Sequence, residues 1–340
     1  MELLYLLDIL SNIVTQIKNT LRFASIEKKD DVKKPFIHFT KFEYFGDMVV
    51  PNFSKDKKDN EQCRFPVFDT AFMNDPREGA AFCDLIFRDF PDLEQFYTDN
   101  CSFFKSIKEK KDMTPTFVFL KSFMCKEPDD NAIKHMWKLY GDEGRGVRIN
   151  FDLETFLNRP LSELKSEHKS DDYSLYNIRY LERDKSKIED NYNYLIEENY
   201  PKSLLEEQMV NLLAIVEPEE DDDEIIKIKG LSASILTLRM TLEKIRKLYP
   251  SLNEKERTIF DKVTGHYIAQ VAYLFKDKSS EKGKVWKNEK EVRLVLYRSE
   301  KEKAIKEKGK KNQHIYLPNP VKIKKIELGE KIKALIEVTK

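Results

Sequence analysis

The chain has 340 residues, 35% of them charged, and its Lys+Arg and Asp+Glu totals are both 60. Such balance excludes a global positive field that would gather nucleic acid, while the length admits one large domain with an insertion or two domains. Four cysteines (Cys63, Cys83, Cys101, Cys125) without a C-x-x-C pair, and 5 scattered histidines, argue against a structural zinc site and for reduced cytoplasmic thiols.

The opening stretch "MELLYLLDILSNIVTQIKNTL" places apolar residues at three- and four-residue steps from Leu3 to Leu21. This spacing predicts an amphipathic helix rather than a signal peptide, and no window holds the ~18 uninterrupted apolar residues of a membrane span. The apolar stripe must be buried somewhere, and a protein partner is one way to cover it. "IEKKDDVKKP" (26–35) reads as a charged connector, and "FIHFTKFEYF" (36–45) as a strand ended by Gly46-Asp47. In "NDPREG" (74–79), Asp75, Pro76 and Glu78 form a helix-start signal with a capping box. "PTFVFLKSFMC" (115–125) reads as a strand, "NAIKHMWKLYG" (131–141) as a helix stopping at Gly141, and "RGVRINFD" (145–152) as a strand.

From about residue 190 to 276 strand signals fade, and the pattern offers three helices with "EPEEDDDE" (217–224) as a loop between two of them. The last of these helices is expected to open with a capping box at Ser251-x-x-Glu254. "EVRLVLY", a lysine-rich loop, "HIYLP" and "VKIKKIELG" then close the chain with strands. Strands first and last with helices between imply an α+β fold with a mixed or antiparallel sheet. The expected organisation is a helix and connector over 1–30, then a single domain over 31–340 with a helical insertion at about 190–276.

The stretch "VWKNEKEVRLVL" (285–296) carries the clearest chemical question. With period two, Val292, Leu294 and Leu296 share one face, and Glu289, Glu291 and Arg293 the other. The plain reading is a strand with one wet side and a surface ion pair. The sharper reading is a pair of carboxylates facing a substrate, where one stabilises positive charge developing at a sugar C1 and the other orients the incoming nucleophile. His38 lies mid-strand among aromatics, suited to packing or to bonding a ribose hydroxyl. Ser122 and Tyr140 are further candidates, the first as a hydroxyl donor and the second as a stacking ring.

Four segments in order, "NDPREG", "MWKLYGDEGRGVRINFD" (136–152), "LFKDKSSEKGKVWKNEKEVRLV" (274–295) and "IKKIELG" (323–329), resemble the bacterial domain of unknown function 2971 family. "NEKEVRLVL" is also similar to the E-x-E element that opens a late strand in ADP-ribosyltransferases, which cleave the nicotinamide–ribose bond of NAD inside a split, mixed sheet. That resemblance implies Glu291 as the charge-stabilising carboxylate and Glu289 as the residue positioning the acceptor. His38 would hold the adenosine ribose, and Ser122 or Tyr140 would stand at the middle motif position. Arg293 would pair with Glu291 or meet the pyrophosphate. NAD would be the substrate, a protein or nucleic acid the acceptor, and a bacterial toxin or antiphage effector the context. In this family an early histidine usually accompanies a tyrosine, and E-x-E an arginine and a serine, so the mixture here leaves the acceptor open. Two other classes stay open. One is a binding or regulatory module acting through the first helix or the helical insertion. The other is a metal-dependent nuclease built on Asp75, Glu78 and Glu291 with the lysine-rich segment 276–311.

Overall fold

The computed structural model describes residues 2–23, 36–49, 62–63, 65–70, 79–109, 118–125, 130–152, 172–182, 222–278, 291–297, 305–306, 313–317 and 321–338. The connector 26–35 and the capping box of Asp75 and Glu78 lie outside them. The chain groups into two compact units. One combines 1–22, 70–118 and 178–287; the other combines 23–69, 119–177 and 288–340.

The first unit is mainly helical. α1 (Glu2–Leu21) buries Leu3, Leu6, Leu10, Ile13, Ile17 and Leu21, as its spacing requires. That stripe packs on the chain's own two long helices, α7 (Asp222–Leu248) and α8 (Glu254–Ala272), so its burial needs no second protein. Around them lie α3 (Ala80–Phe87), α4 (Pro91–Asn100) and α5 (Ser102–Glu109). α3 starts after Gly79, whose φ of +78° suits a residue without a side chain. The last carbonyls of α3 would be orphaned, but Arg239 Nε and Nη2 donate to Ile86 O at 2.7 Å and Leu85 O at 3.0 Å. The Tyr97 hydroxyl donates to Leu242 O at 2.7 Å, which satisfies a polar atom inside an aromatic cluster with Phe87, Phe104 and Phe260. Cys83 and Cys101 are buried free thiols here, and burial pushes Cys101 up to about 12, far from thiolate chemistry. A parallel pair, β7 (Arg179–Leu181) and β8 (Phe275–Asp277), completes the unit.

Among the described residues the second unit is built on a ten-stranded sheet. Its main path runs β10 (Ile305–Lys306), β11 (Gln313–Tyr316), β3 (Pro66–Asp69), β4 (Val118–Met124), β1 (Phe36–Thr40), β5 (Val147–Phe151), β12 (Val321–Leu328), β2 (Gln62–Cys63). Off this path, β9 (Glu291–Tyr297) pairs with both β4 and β6 (Asp172–Asn177). β4 therefore serves three neighbours, β3, β1 and β9, and the sheet branches there. The registered pairs are antiparallel, as expected for an α+β protein. The residues on one face form a phenylalanine-rich core in which Phe36 stacks on Phe123 at 4.1 Å and Phe65 on Phe123 at 5.3 Å. On the other face Ile37, Phe39 and Met124 meet Met136 and Trp137 of α6 (Asp130–Leu139).

Four local readings change. The strand from Phe36 ends at Thr40, and Phe42–Val49 is a helix, α2. Phe42 and Phe45, which looked like strand aromatics, sit three apart with ring centroids 6.3 Å apart on one helical side. Asp222 to Glu224, assigned to a loop, begin α7. The cap of α8 is Asn253 rather than Ser251: Asn253 Oδ1 accepts from Glu256 N at 3.1 Å while Glu256 Oε2 accepts from Asn253 N at 3.0 Å. Finally, β6, β7 and α9 (Glu330–Val338) had no counterpart in the sequence reading. Among the described residues no helix is long and apolar enough to cross a membrane.

Replacing Asn253 by Ala should remove the half of the capping box made by its side chain, the acceptor for Glu256 N, and lower stability by about 1 kcal/mol in urea unfolding. Ser251→Ala, which removes only a hydroxyl bonded to Leu248 O, should stay within about 0.5 kcal/mol. The reverse ranking would restore the sequence-derived cap.

Candidate functional site

β9 lies between β4 and β6 and is buried along its whole length, so neither face is wet. Val292, Leu294 and Leu296 enter the phenylalanine-rich core, and strand alternation sends Glu291 and Arg293 to the opposite face. There the two side chains are 6% and 1% exposed. Arg293 Nε donates to Glu291 Oε1 at 2.6 Å. A buried charge needs such a partner, and removing either one leaves the other stranded at a cost of about 3–5 kcal/mol. The surface ion pair of the plain reading is therefore a buried one. Arg293 is too enclosed to reach a pyrophosphate. Glu289 lies outside the described residues, as do Asp75 and Glu78.

Ser122 sits on β4 in phase with Met124, which belongs to the smaller core cluster, and out of phase with Phe119 and Phe123 of the larger one. It thus shares the face of Glu291 and Arg293. Tyr140 follows α6, the helix that packs on this face, and is 38% exposed. Gly146, just ahead of β5, has Thr40 O pressed against it so closely that no β-carbon would fit, which fixes the turn after Tyr140.

His38 is the exception. It is in phase with Phe36, and its ring lies 6.2 Å from Phe65 and 5.9 Å from Phe123, inside the phenylalanine-rich side. The resemblance put His38 beside Glu291; the strands do lie near one another, but the pleat turns the two side chains to opposite faces. His38 Nδ1 lies 3.0 Å from Ser122 O. A carbonyl only accepts, so Nδ1 carries the hydrogen and Nε2 the lone pair. Nε2 is buried with no hydrogen-bond partner. Burial, then the charge of Lys121, hold the ring well below the usual histidine range, so it is neutral.

Lys121 escaped the sequence reading, although a lysine in phase with Phe119 and Phe123 in an apolar strand was the available signal. Its ammonium lies 5.7 Å from the Phe65 ring centroid and 4.9 Å from that of Phe68. Among the described residues no carboxylate pairs with it, and burial brings it down to about 8. Among the described residues no group of three His, Cys, Asp or Glu side chains is placed to hold a metal ion.

The geometry thus defines an α+β protein with two chemically distinct faces on one branched sheet. Residues 136–294 match the family model described as "Protein of unknown function (DUF2971)", the family that the ordered motifs resemble. The matched stretch contains Tyr140, Glu291 and Arg293, and excludes His38, Lys121 and Ser122. No curated protein and no solved structure gives a significant match.

The low value of Lys121 has a signed consequence. An unfolded lysine titrates near ~10.4, above the folded value of about 8. Between those values the unfolded chain binds more protons, so stability rises with pH, and below the folded value the full penalty is present. Lys121→Met should therefore stabilise the protein at pH 7, with part of the gain vanishing by about pH 10. A gain that is the same at both pH values would show that the ammonium is not desolvated.

Proposed function

We propose that the sheet unit is an NAD-cleaving enzyme of ADP-ribosyltransferase type. The observation that carries this reading is the adjacency of the three motif strands: β1 is beside β4, and β4 is beside β9, with Glu291 as the first residue of β9. In this reading the C1–N bond between ribose and nicotinamide breaks, its electron pair leaves with nicotinamide, and a nucleophilic oxygen or nitrogen of the acceptor, or water, bonds to C1 and gives up its proton. The Glu291 carboxylate stabilises the positive charge growing at C1. Arg293 acts as a positioning residue, holding the Glu291 carboxylate through Oε1. Ser122, on the same face, takes the middle motif role, and Tyr140 offers a ring for the flat nicotinamide. Glu289 keeps its proposed part in orienting the acceptor. His38 drops out of this cluster because it faces the other way.

A second reading has an observation of its own. Arg293 neutralises Glu291 inside a fully buried strand, an arrangement that a purely structural pair would also show, and this favours a binding or regulatory module without turnover.

Incubation with NAD and chromatographic detection of nicotinamide separates the two. The native protein should release nicotinamide, Glu291→Gln should lose about 100-fold or more in rate, and Ser122→Ala should lose about tenfold with its fold intact. NAD left untouched by the native protein would leave the binding module standing, and cleavage undiminished in both variants would remove Glu291 and Ser122 from the reaction.

A further inference from the structure

The main path of the sheet is thin at one seam, between β4 and β1. On its other side β1 is joined to β5 along the whole run, Phe36–Thr40 against Val147–Phe151. Toward β4 a single registered pair, Ile37 with Met124, holds it among the described residues. A side chain reinforces that seam. His38 reaches across from β1, and its Nδ1–H donates to Ser122 O of β4 at 3.0 Å, doing there what a ladder hydrogen bond does elsewhere. The other ring nitrogen is the weak point. Nε2 is buried with no hydrogen-bond partner, and the ring stands edge-on to Phe65 and Phe123. In the neutral ring that atom is a bare lone pair; in the charged ring it is a cationic N–H with nothing to accept it.

The surroundings offer a proton no compensation. Lys121, on β4 and in phase with Phe123, is the charged group that bears on the ring, and it repels a second cation. From β5 the side chains on this face are Ile149 and Phe151, both apolar. β3 carries Asp69, but at the end paired with Phe119 and opposite to the Phe65 end. His135 lies on α6, the helix on the other face, and His314 of β11 pairs with Phe68, three strands from β1.

We propose that His38 is an acid-released latch: the neutral ring staples β1 to β4, and protonation drives it out of the seam, so that the sheet path opens there. The latch uses the backbone carbonyl of Ser122 and none of the side chains in the NAD-cleaving reading, so the two are tested separately.

The sign follows from linkage. Burial, with Lys121 second, holds the closed ring well below the usual histidine value of 6.5, and a ring released into water regains about that value. Above it the latch has its full strength. As pH falls below it, the open seam takes up a proton that the closed seam does not, and opening becomes up to tenfold easier per pH unit until the closed value is reached. Lys121, at about 8, stays charged across this window and adds no slope.

The test is hydrogen–deuterium exchange of the full chain at pH 7 and pH 5, corrected for the intrinsic pH dependence of amide exchange. Protection of β4 should fall by about tenfold or more at pH 5, while the β5–β12 pair and α8 keep theirs. His38→Asn puts an amide N–H where Nδ1–H stood and cannot titrate, so its β4 protection should be the same at both pH values. His38→Phe lacks the donor and should leave β4 weakly protected at both. Unchanged β4 protection in the native protein would overturn the proposal. So would an equal loss across β5, β12 and α8, or a pH response in His38→Asn as large as the native one.

Discussion

The ion pair between Glu291 and Arg293 sets the terms for the sheet unit. β9 is flanked by β4 and β6 and has no wet face, so any charge on it must be neutralised within the protein. Two residues apart on a pleated strand, a glutamate and an arginine point the same way and meet at 2.6 Å. The pairing lets a strand with two charges take a central place, while Val292, Leu294 and Leu296 supply the apolar face that enters the core. It also places Glu291 at the mouth of the strand, where the two functional readings part: a carboxylate fixed by arginine is either oriented for a ligand or occupied by its partner.

β4 is the second constraint. Serving three neighbours, it brings the early strand β1 and the late strand β9 together despite more than 250 residues of separation, and it sorts side chains by phase. Even-numbered Ser122 and Met124 look toward α6, with Glu291 and Arg293 on the same side of the sheet. Odd-numbered Phe119, Lys121 and Phe123 look into the phenylalanine-rich side with His38. A link between the faces runs through the backbone, at the carbonyl of Ser122 that fixes the His38 tautomer. A single strand thus supplies a hydroxyl to one side and an amine to the other.

Sequence patterns made some of this legible. Helix α1 was readable because its leucines repeat at helical steps along one buried face, and β4, β5 and β9 because β-branched and aromatic residues cluster there. The alternation of β9 correctly separated Glu291 from Val292, but alternation cannot say whether the second face meets water or another layer. The in-sheet neighbour β6 also went unread, since the signal in "DYSLYN" was too weak to register. Aromatic content misled at Phe42, where strand propensity and a three-residue helical step compete. The cap of α8 was missed by two residues, since Ser251 and Asn253 both precede a glutamate at the required distance and only the end of the preceding turn decides between them. His38 was placed by residue type and strand, and its face follows from phase relative to Phe36, which only the packing reveals. Lys121 was passed over because a lone lysine in an apolar run reads as a snorkelling surface residue until its rings are seen.

The buried pair on β9 is most directly tested by a double-mutant cycle in urea, using Glu291→Gln, Arg293→Met and the two together. Each single change should cost about 3–5 kcal/mol, and the double change well under their sum, leaving a coupling of about 2 kcal/mol or more. Costs that add to within about 0.5 kcal/mol would mean that the two side chains do not depend on one another, and that β9 is not held by the charge pair on which its place in the sheet rests.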